Sequence, residues 1–515
     1  MKRICTLSEY EKVLRSRALI RRSLSDEALL SAPVCHITYD SRDVIPGSLF
    51  VCKGAGFREG YLTDALDRGA IAWIAEQEHD QGSGIVVTDI RKAMAHLANQ
   101  LYGEPWRDFL LIGLTGTKGK STTVYFLRSI FDGPEEDAAE KRFGYLSSIE
   151  TYDGKVRFES HLTTPEALVL AEHFDHVRES GLCCMAMEVS SQALKYDRTL
   201  GVEFDIGCFL NFGSDHIGGR EHTDVEDYFS SKLKFFEQCK TVCLNVESDG
   251  LDRIIAAVAA SRLCEKRILY SPSGKAEWNG LPVDFLASDV HKEDRETVFR
   301  IHRRCGAGSS IKAFEDLGEF RLTLPGLFNV DNALVATVVA LALGSPLEQI
   351  KRGLYGAKVA GRMEVFENAE RKLVVIVDYA HNRMSFDSLF SSTKKEYPGW
   401  RIEALFGCPG GKGLQRRWEL PQVVAQYADF AWITEEDAGE EDLMEISNLV
   451  QKNLDRYGCP GRVIPDREEA IRTAIDNASP ETVLVMTGKG RENYQKRGTE
   501  YVTVDSDVEL VQKYL

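Results

Sequence analysis

The apolar residues of this 515-residue chain fall into two alternating patterns. Short, near-continuous apolar runs bounded by glycine and polar residues read as buried strands. Between them lie longer stretches with an apolar residue every three or four positions, which read as helices. In the first hundred residues the strand candidates are 48–52, 71–75 and 84–88, with helical patterns at 61–68 and 91–101. Further strands are expected at 109–114, 183–189, 206–210 and 241–245, then at 374–378, 402–406, 430–434 and 483–487. Such alternation implies parallel α/β sheets, and the unbroken apolar runs fit central strands covered on both faces. Residues 275–323 are more polar and alternating, and are expected to form a β-rich insertion. Tyr102-Gly-Glu-Pro-Trp106 reads as a linker, and Tyr228–Phe236 as an amphipathic helix.

The length exceeds what one core supports and suggests about three domains. The fold class expected is α/β, with domains at 1–106, 107–346 and 347–515. No run of eighteen apolar residues occurs, so no transmembrane helix is expected. The N-terminal residues lack the apolar stretch of a signal peptide. A net charge of −16 argues against a nucleic-acid or membrane-surface role, since both call for a basic face. The twelve cysteines show no paired CxxC spacing. Cys183-Cys184 and Cys208, within apolar strands, read as buried structural thiols of a reduced, cytoplasmic protein.

The chemistry begins at Thr115-Gly-Thr-Lys-Gly-Lys-Ser-Thr-Thr123, where a buried strand breaks into a glycine-rich turn and then a helix. Backbone N–H groups and a helix N-terminus there can surround a polyphosphate; Lys120 can reach the β/γ-phosphates, and Ser121 can hold Mg²⁺. The strict P-loop spacing would need a glycine at 114, which is leucine. The glycine that matters is Gly116, not Gly113. An ATP site limits the chemistry to kinase, ATPase, ligase or sensor.

Four more polar loops follow apolar strands, where ligands collect in open α/β sheets. They are Glu188-Val-Ser-Ser-Gln192, Asn211–His216, Asp378-Tyr-Ala-His381 and Gly488–Gln495. Glu188 and His216 are candidate metal ligands; a solvated strand end and a structural histidine are the plainer readings. On pattern alone, Lys232 is a surface lysine. Loops spread over two α/β units point to a site between domains.

Taken in order, these motifs resemble the Mur ligases, and within them the enzymes that add the third amino acid to the muramoyl peptide. Thr115–Thr123 matches the ATP motif and Asp40–Phe50 the N-terminal signature. Leu162–Pro165, Glu188–Ser191, Asp215-His216, Tyr228–Lys232, Phe328–Asn332, Gly361–Glu364, Asp378–His381 and Gly488–Gly490 follow in the family's order. The resemblance implies a small N-terminal UDP-binding domain, a central P-loop ATPase domain and a C-terminal Rossmann-like domain that takes the amino acid. It places Ser41 on the UDP moiety and Thr163, Thr164, Ser190 and Arg198 on the muramoyl dipeptide. Thr115, Gly116, Thr117, Lys118, Gly119, Lys120, Ser121 and Thr122 would cradle ATP, with Asn329, Asn332, Arg362 and Asp378 on its adenosine and phosphate ends. Ser121, Glu188, His216 and Lys232 would hold Mg²⁺, Lys232 as a carbamate made from CO₂. The catalytic group would be Lys120, Glu188, His216 and Lys232, and His381, Asp437, Gly488 and Glu492 would meet the reacting substrates. The implied partners are UDP-MurNAc-dipeptide, ATP and a free amino acid, with no nucleic acid, on a monomeric enzyme.

The chain leaves the pattern at the amino-acid site. Members that use meso-diaminopimelate carry Asp-Asn-Pro-Arg, whose arginine binds the extra carboxylate; here the aligned residues are Glu436-Asp-Ala-Gly439. Glycine cannot make that bidentate pair. The acidic run 435–442 suits a cationic side-chain terminus, so lysine (or ornithine) is favoured over diaminopimelate, with lysine the first expectation. Arg491 stands where a histidine is usual, and could supply a carboxylate partner. Folylpolyglutamate synthases, the nearest different enzymes, lack the unit carrying Asp40-Ser-Arg42. A non-catalytic P-loop regulator would show damage at Lys120, Glu188, His216 or Lys232, and all four are intact.

Overall fold

The computed structural model describes residues 2–54, 56–133, 141–160, 162–213, 221–305 and 313–515. Three sheets carry most of the chain, and each is α/β.

The first sheet has five strands, drawn from Ile20–Arg22, His36–Thr38, Ser48–Val51, Ala70–Ala75 and Gly84–Val87. The last four are parallel, and Ile20–Arg22 closes one edge antiparallel. Their apolar residues leave no solvated face, as parallel strands under helices require. Helices Leu7–Ser16 and Ile90–Tyr102 cover one side. Asp89 caps the second of them by accepting from the Arg91 and Lys92 amides. Tyr102–Trp106 is not a loose linker. Tyr102 ends the helix, and Trp106 is buried against Phe174 of the next unit. An indole seated there binds the junction by apolar area, the reverse of what a Gly-Glu-Pro sequence suggests.

The second sheet has eleven strands, and the strand Leu110–Thr115 lies in its interior. Cys184–Glu188 and Phe204–Phe209 flank it in parallel, so the loop at its carboxyl end opens between two neighbouring strand ends. The alternating segment expected as an insertion is instead part of this sheet. Phe285–Glu293 joins it in parallel at one edge, and Glu296–Arg304 and Phe314–Leu322 extend that edge antiparallel, while Phe143–Leu146, Glu150–Tyr152 and Arg157–Glu159 form the other. Their polar positions face solvent and their apolar ones, Phe299, Ile301 and Phe320, join the main core. Cys184 and Cys208 are buried as expected, but Cys183 is exposed because it precedes the strand. All twelve cysteines are free thiols.

The third sheet, of six strands, runs from Glu364–Asn368 through Leu373–Asp378, Thr482–Thr487, Arg401–Phe406 and Phe430–Ile433 to Gly461–Val463. All its pairings but the first are parallel. The carboxyl ends of two of its interior strands are tied together by the buried Arg467, which pairs with both Asp507 oxygens at 2.7 Å and donates to the Glu435 and Thr487 carbonyls. Among the described residues no helix is long and apolar enough to cross a membrane.

Candidate active site between the domains

The glycine-rich loop is built from both sides. Gly119, at φ +86°, turns the chain into the helix Lys120–Asp132; that left-handed backbone is costly for any residue with a Cβ. A Cβ there would stand 2.3 Å from Asn332 Oδ1. Asn332 lies on the helix Asn329–Ala342 and donates to Asn329 Oδ1 at 3.1 Å. The resemblance groups Gly119, Asn329 and Asn332 around ATP, and the structure does bring them together. The helix has no side-chain cap, and its first-turn amides have no partner within the helix, which is the arrangement that receives a phosphate. Asn211 fixes the loop before it: its Oδ1 accepts from the Thr117 and Lys118 amides at 3.1 and 2.9 Å, and its Nδ2 donates to the Lys118 carbonyl.

Two ammonium groups converge on one carbonyl of this loop. Lys120 Nζ donates to Gly116 O at 2.8 Å, and Lys232 Nζ donates to the same oxygen at 3.0 Å. Lys232 is buried, only 1% exposed, beneath the Tyr228 ring, whose hydroxyl meets Thr117 Oγ1 at 3.1 Å. The surface-lysine reading of its helical pattern is therefore wrong. The helix Val225–Leu233 is wedged on more than one side, so Tyr228, Phe229, Ser231 and Lys232 are all covered.

Glu188 ends its strand buried at 1% exposure, not solvated. Its Oε1 accepts the Ser148 amide at 2.7 Å, and Ser148 Oγ meets Ser121 Oγ at 2.9 Å. Ser148, in the turn between Phe143–Leu146 and Glu150–Tyr152, thus bridges two candidate metal ligands; an isolated serine in a turn carries no sequence signal. Glu188 and Ser121, joined through Ser148, form an oxygen donor set, and the buried Thr115 hydroxyl at the end of the loop's strand has no hydrogen-bond partner among the described residues. Oxygen donors of this kind suit Mg²⁺. His216 lies outside the described residues.

The dipeptide candidates form one chain of contacts. Thr164 Oγ1 donates to the Glu188 carbonyl at 2.9 Å and accepts from the Ser190 amide at 3.0 Å. Ser190 caps the helix Ser191–Lys195. Arg198 donates to the Thr164 carbonyl at 3.1 Å and pairs with Glu166 at 2.9 Å. Glu166 in turn pairs with Lys53, whose ammonium stands over the Tyr39 ring at 4.3 Å. Through Lys53 and Tyr39 the first sheet meets the second. Thr163 is half-buried beside them, and Ser41 opens the turn Ser41–Asp43 one residue past Asp40, whose carboxylate is held by Arg42. That hydrogen-bonded ion pair holds Asp40 down at about 2.

Across the cleft, Asp378 ends its strand with its oxygens taken by the Met363 and Ala380 amides at 2.9 and 2.7 Å. Burial raises its pKa, and Arg362, stacked 4.8 Å over Tyr379, opposes that rise. Tyr379 donates to Glu492 at 2.7 Å. Lys489, 2% exposed, bridges Glu492 at 2.6 Å and Asp437 at 3.0 Å. His381 Nδ1 rests 2.8 Å from the Tyr379 carbonyl. Gly488, at φ +100°, lies against Glu436: a Cβ there would meet Glu436 Oε2 at 2.2 Å. Enclosure raises Glu436 to about 7, against the pull of Arg416 and Arg467. Glu435 pairs with Arg497 and Glu441 with Arg417, so part of the acidic run is neutralised internally. Arg491 holds both oxygens of Glu364, at 2.5 and 2.7 Å, so its guanidinium already has a carboxylate. A cavity of about 630 Å³ joins the two sides, lined by Ser148, Arg128 and Arg157 on one and Tyr379, Lys489 and Glu492 on the other.

Lys118 crosses this boundary directly. Its Nζ donates to Ser388 of the helix Arg383–Glu396, and burial lowers its pKa while Asp331 and Asp387 raise it. Met384 of the same helix packs so closely on Gly213 that a Cβ there would stand 2.2 Å from its methyl.

A nucleotide-cradling loop facing an acidic α/β unit defines an ATP-using ligase architecture, and the relatives agree. The chain matches the Mur ligase middle domain over residues 114–340 and the Mur ligase glutamate ligase domain over 361–490. It belongs to the Mur ligase family. It is 36% identical over 472 residues to the UDP-N-acetylmuramyl-tripeptide synthetase of Lactobacillus delbrueckii subsp. bulgaricus, covering 90% of each chain. It is 35% identical over 485 residues to the UDP-N-acetylmuramoyl-L-alanyl-D-glutamate--L-lysine ligase of Streptococcus thermophilus, covering 93% of this chain and 92% of that one. In fold it resembles a solved UDP-N-acetylmuramoyl-L-alanyl-D-glutamate--2,6-diaminopimelate ligase, with a TM-score of 0.65, 22% identity and 99% of both chains covered.

Proposed function

We propose that this enzyme adds L-lysine to UDP-N-acetylmuramoyl-L-alanyl-D-glutamate in an ATP-dependent reaction of peptidoglycan precursor synthesis, acting as a cytoplasmic monomer. The ligase chemistry rests on family membership. The choice of lysine rests on one observation: the position that would carry a carboxylate-binding arginine is Gly439, which has no side chain to offer a second carboxylate.

The substrate's D-glutamyl carboxylate attacks the γ-phosphorus of ATP, giving an acyl phosphate and ADP. The amino group of lysine then attacks the acyl carbon, and the tetrahedral intermediate loses phosphate as the amide forms. The first-turn amides of Lys120–Asp132 and the Lys120 ammonium balance the charge of the transferring phosphoryl group. Lys120 must leave the Gly116 carbonyl to do so, a movement of one flexible side chain. Thr164, Ser190 and Arg198 orient the dipeptide, and Asn329, Asn332, Arg362 and Asp378 the nucleotide. Ser41 takes the UDP end and Thr163 lies beside the peptide; Asp437 and Glu492 receive the side-chain ammonium of lysine, with His381 and Gly488 at the rim. Mg²⁺, held by Ser121, Glu188, His216 and Lys232, would lower the charge on the phosphates when bound. Lys232 fits that set only as a carbamate formed with CO₂, since its ammonium has no lone pair to offer a metal, whereas a carbamate supplies carboxylate-like oxygens.

The test is an incubation with UDP-MurNAc-L-Ala-D-Glu, ATP, Mg²⁺ and L-lysine, meso-diaminopimelate or ornithine, reading phosphate release and product mass. Phosphate and a lysyl product are expected. No phosphate with any amino acid refutes the ligase reading; product with diaminopimelate alone refutes the lysine reading.

A further inference from the structure

One cluster of metal-binding side chains lies outside the site described above. Asp153 sits in the turn between strands Glu150–Tyr152 and Arg157–Glu159. Its Oδ1 accepts from the Lys155 and Val156 amides at 2.9 Å each, so the turn fixes the carboxylate. Its Oδ2 takes two imidazoles, His173 Nδ1 at 2.7 Å and His176 Nδ1 at 2.8 Å. The two histidines are three residues apart on the helix Ala167–Ser180 and so share one face. The carboxylate side chain has no exposure, His173 has 8% and His176 has 23%. The three ligand atoms lie within 4.8 Å of one another.

We propose that Asp153, His173 and His176 bind a divalent transition metal of the zinc class. Two imidazole nitrogens and one carboxylate oxygen favour Zn²⁺, Co²⁺ or Ni²⁺ over the all-oxygen cations that accompany ATP. Three protein ligands leave one tetrahedral position for water, reached from the partly exposed His176 side. Metal–ligand bonds of about 2.0–2.1 Å set the nitrogen–oxygen separations near 3.3 Å. The side chains therefore open by roughly half an ångström, and each neutral imidazole carries its proton on Nε2 instead of Nδ1. The two turn amides on Oδ1 do what outer-shell hydrogen bonds do for metal carboxylates, holding the ligand in orientation. The strand Glu150–Tyr152 runs from this turn to the one that contains Ser148, and the histidine helix begins just after Thr164. A metal here clamps the hairpin behind Glu188 to the helix behind Thr164.

The experiment uses full-length protein stripped with a chelator, without ATP or Mg²⁺. Titration with Co²⁺, read by its visible absorption, is expected to saturate at one equivalent, and Zn²⁺ to displace it and raise the melting temperature. H176Q and D153N, checked for folding by circular dichroism, are each expected to weaken binding at least tenfold. X-ray absorption of the zinc-loaded wild type, which needs no variant, is expected to show two imidazoles in the first shell. Failure of the wild type to bind stoichiometrically, either folded variant binding within tenfold of it, or a shell without imidazole would overturn the proposal and leave a purely hydrogen-bonded Asp–His pair of contacts. None of these readouts depends on ligase activity or on the amino acid added.

Discussion

Replacing Gly119 by alanine tests the geometry of the nucleotide loop. The new Cβ faces two penalties. At φ +86° an alanine costs about 1–2 kcal/mol. It also stands 2.3 Å from Asn332 Oδ1, which has to swing away and give up its 3.1 Å hydrogen bond to Asn329, a loss of about 1 kcal/mol for a buried amide. In the free protein the loop relaxes out of the phosphate-ready shape, and nucleotide binding must restore it, so the combined ~2–3 kcal/mol appears in affinity. That is roughly a 30- to 100-fold weaker Kd. Isothermal titration with a non-hydrolysable ATP analogue measures it, with circular dichroism as the check on folding. The steric share is separable: on an Asn332→Ala background the cost of G119A should drop about fivefold, the ~1 kcal/mol assigned to Asn332, leaving only the backbone term. Binding by G119A within threefold of wild type, or an equal cost on both backgrounds, refutes the reasoning.

Three other outcomes follow from the same contacts. Lys232→Ala should lose nearly all ligase activity and recover part of it with a short carboxylate such as formate, which can occupy the space of a carbamate; full activity without rescue counts against the carbamate. Glu436 has a folded pKa of about 7 against an ordinary 4.5, so its share of stability is complete below pH 4.5 and is lost as pH rises through 7. Glu436→Gln lacks that loss, and its stability relative to wild type should grow by up to about 3 kcal/mol between pH 5 and 8 in urea titrations, whereas a constant offset would contradict the burial argument. Asp507→Asn leaves the enclosed Arg467 guanidinium without its counter-charge and should cost about 3–5 kcal/mol, read from the denaturant midpoint; a loss under 1 kcal/mol would show that the pair contributes little.

The P-loop strand and the helix after it were legible because an unbroken apolar run and a three-to-four spacing differ in period, and Leu110–Thr115 and Lys120–Asp132 fall where those periods place them. Trp106 shows how composition misleads: glycine, glutamate and proline suggested a linker, yet one indole supplies enough apolar area to bury it. The strands at 285–322 were legible as β structure but not as members of the central sheet, since pairing partners are set by tertiary packing. Lys232 was hidden because its polarity argues for the surface while its helix is enclosed on several sides. Ser148 and Asn211 act through loop geometry alone, joining Ser121 to Glu188 and holding the Thr117 and Lys118 amides. Neither has a spacing that marks it. At Glu436–Gly439 the missing arginine was visible in the letters, but the internal pairing of Glu435, Asp437 and Glu441 was not.

The Asn211 contact also constrains when the nucleotide loop can exist. The loop's strand is interior to its sheet, and the amide that straightens the loop comes from a residue 93 positions downstream of Lys118. A ribosome adding about 5–20 residues per second takes roughly 5–20 s to cover that distance. During that interval Leu110–Thr115 is an apolar strand without its neighbour Phe204–Phe209, and the glycine turn lacks the Asn211 side chain that holds its Thr117 and Lys118 amides. Nascent chains of this protein are therefore unable to bind nucleotide until the second flanking strand has emerged. A stalled or truncated product ending before residue 204 would present an open apolar strand edge to chaperones and proteases.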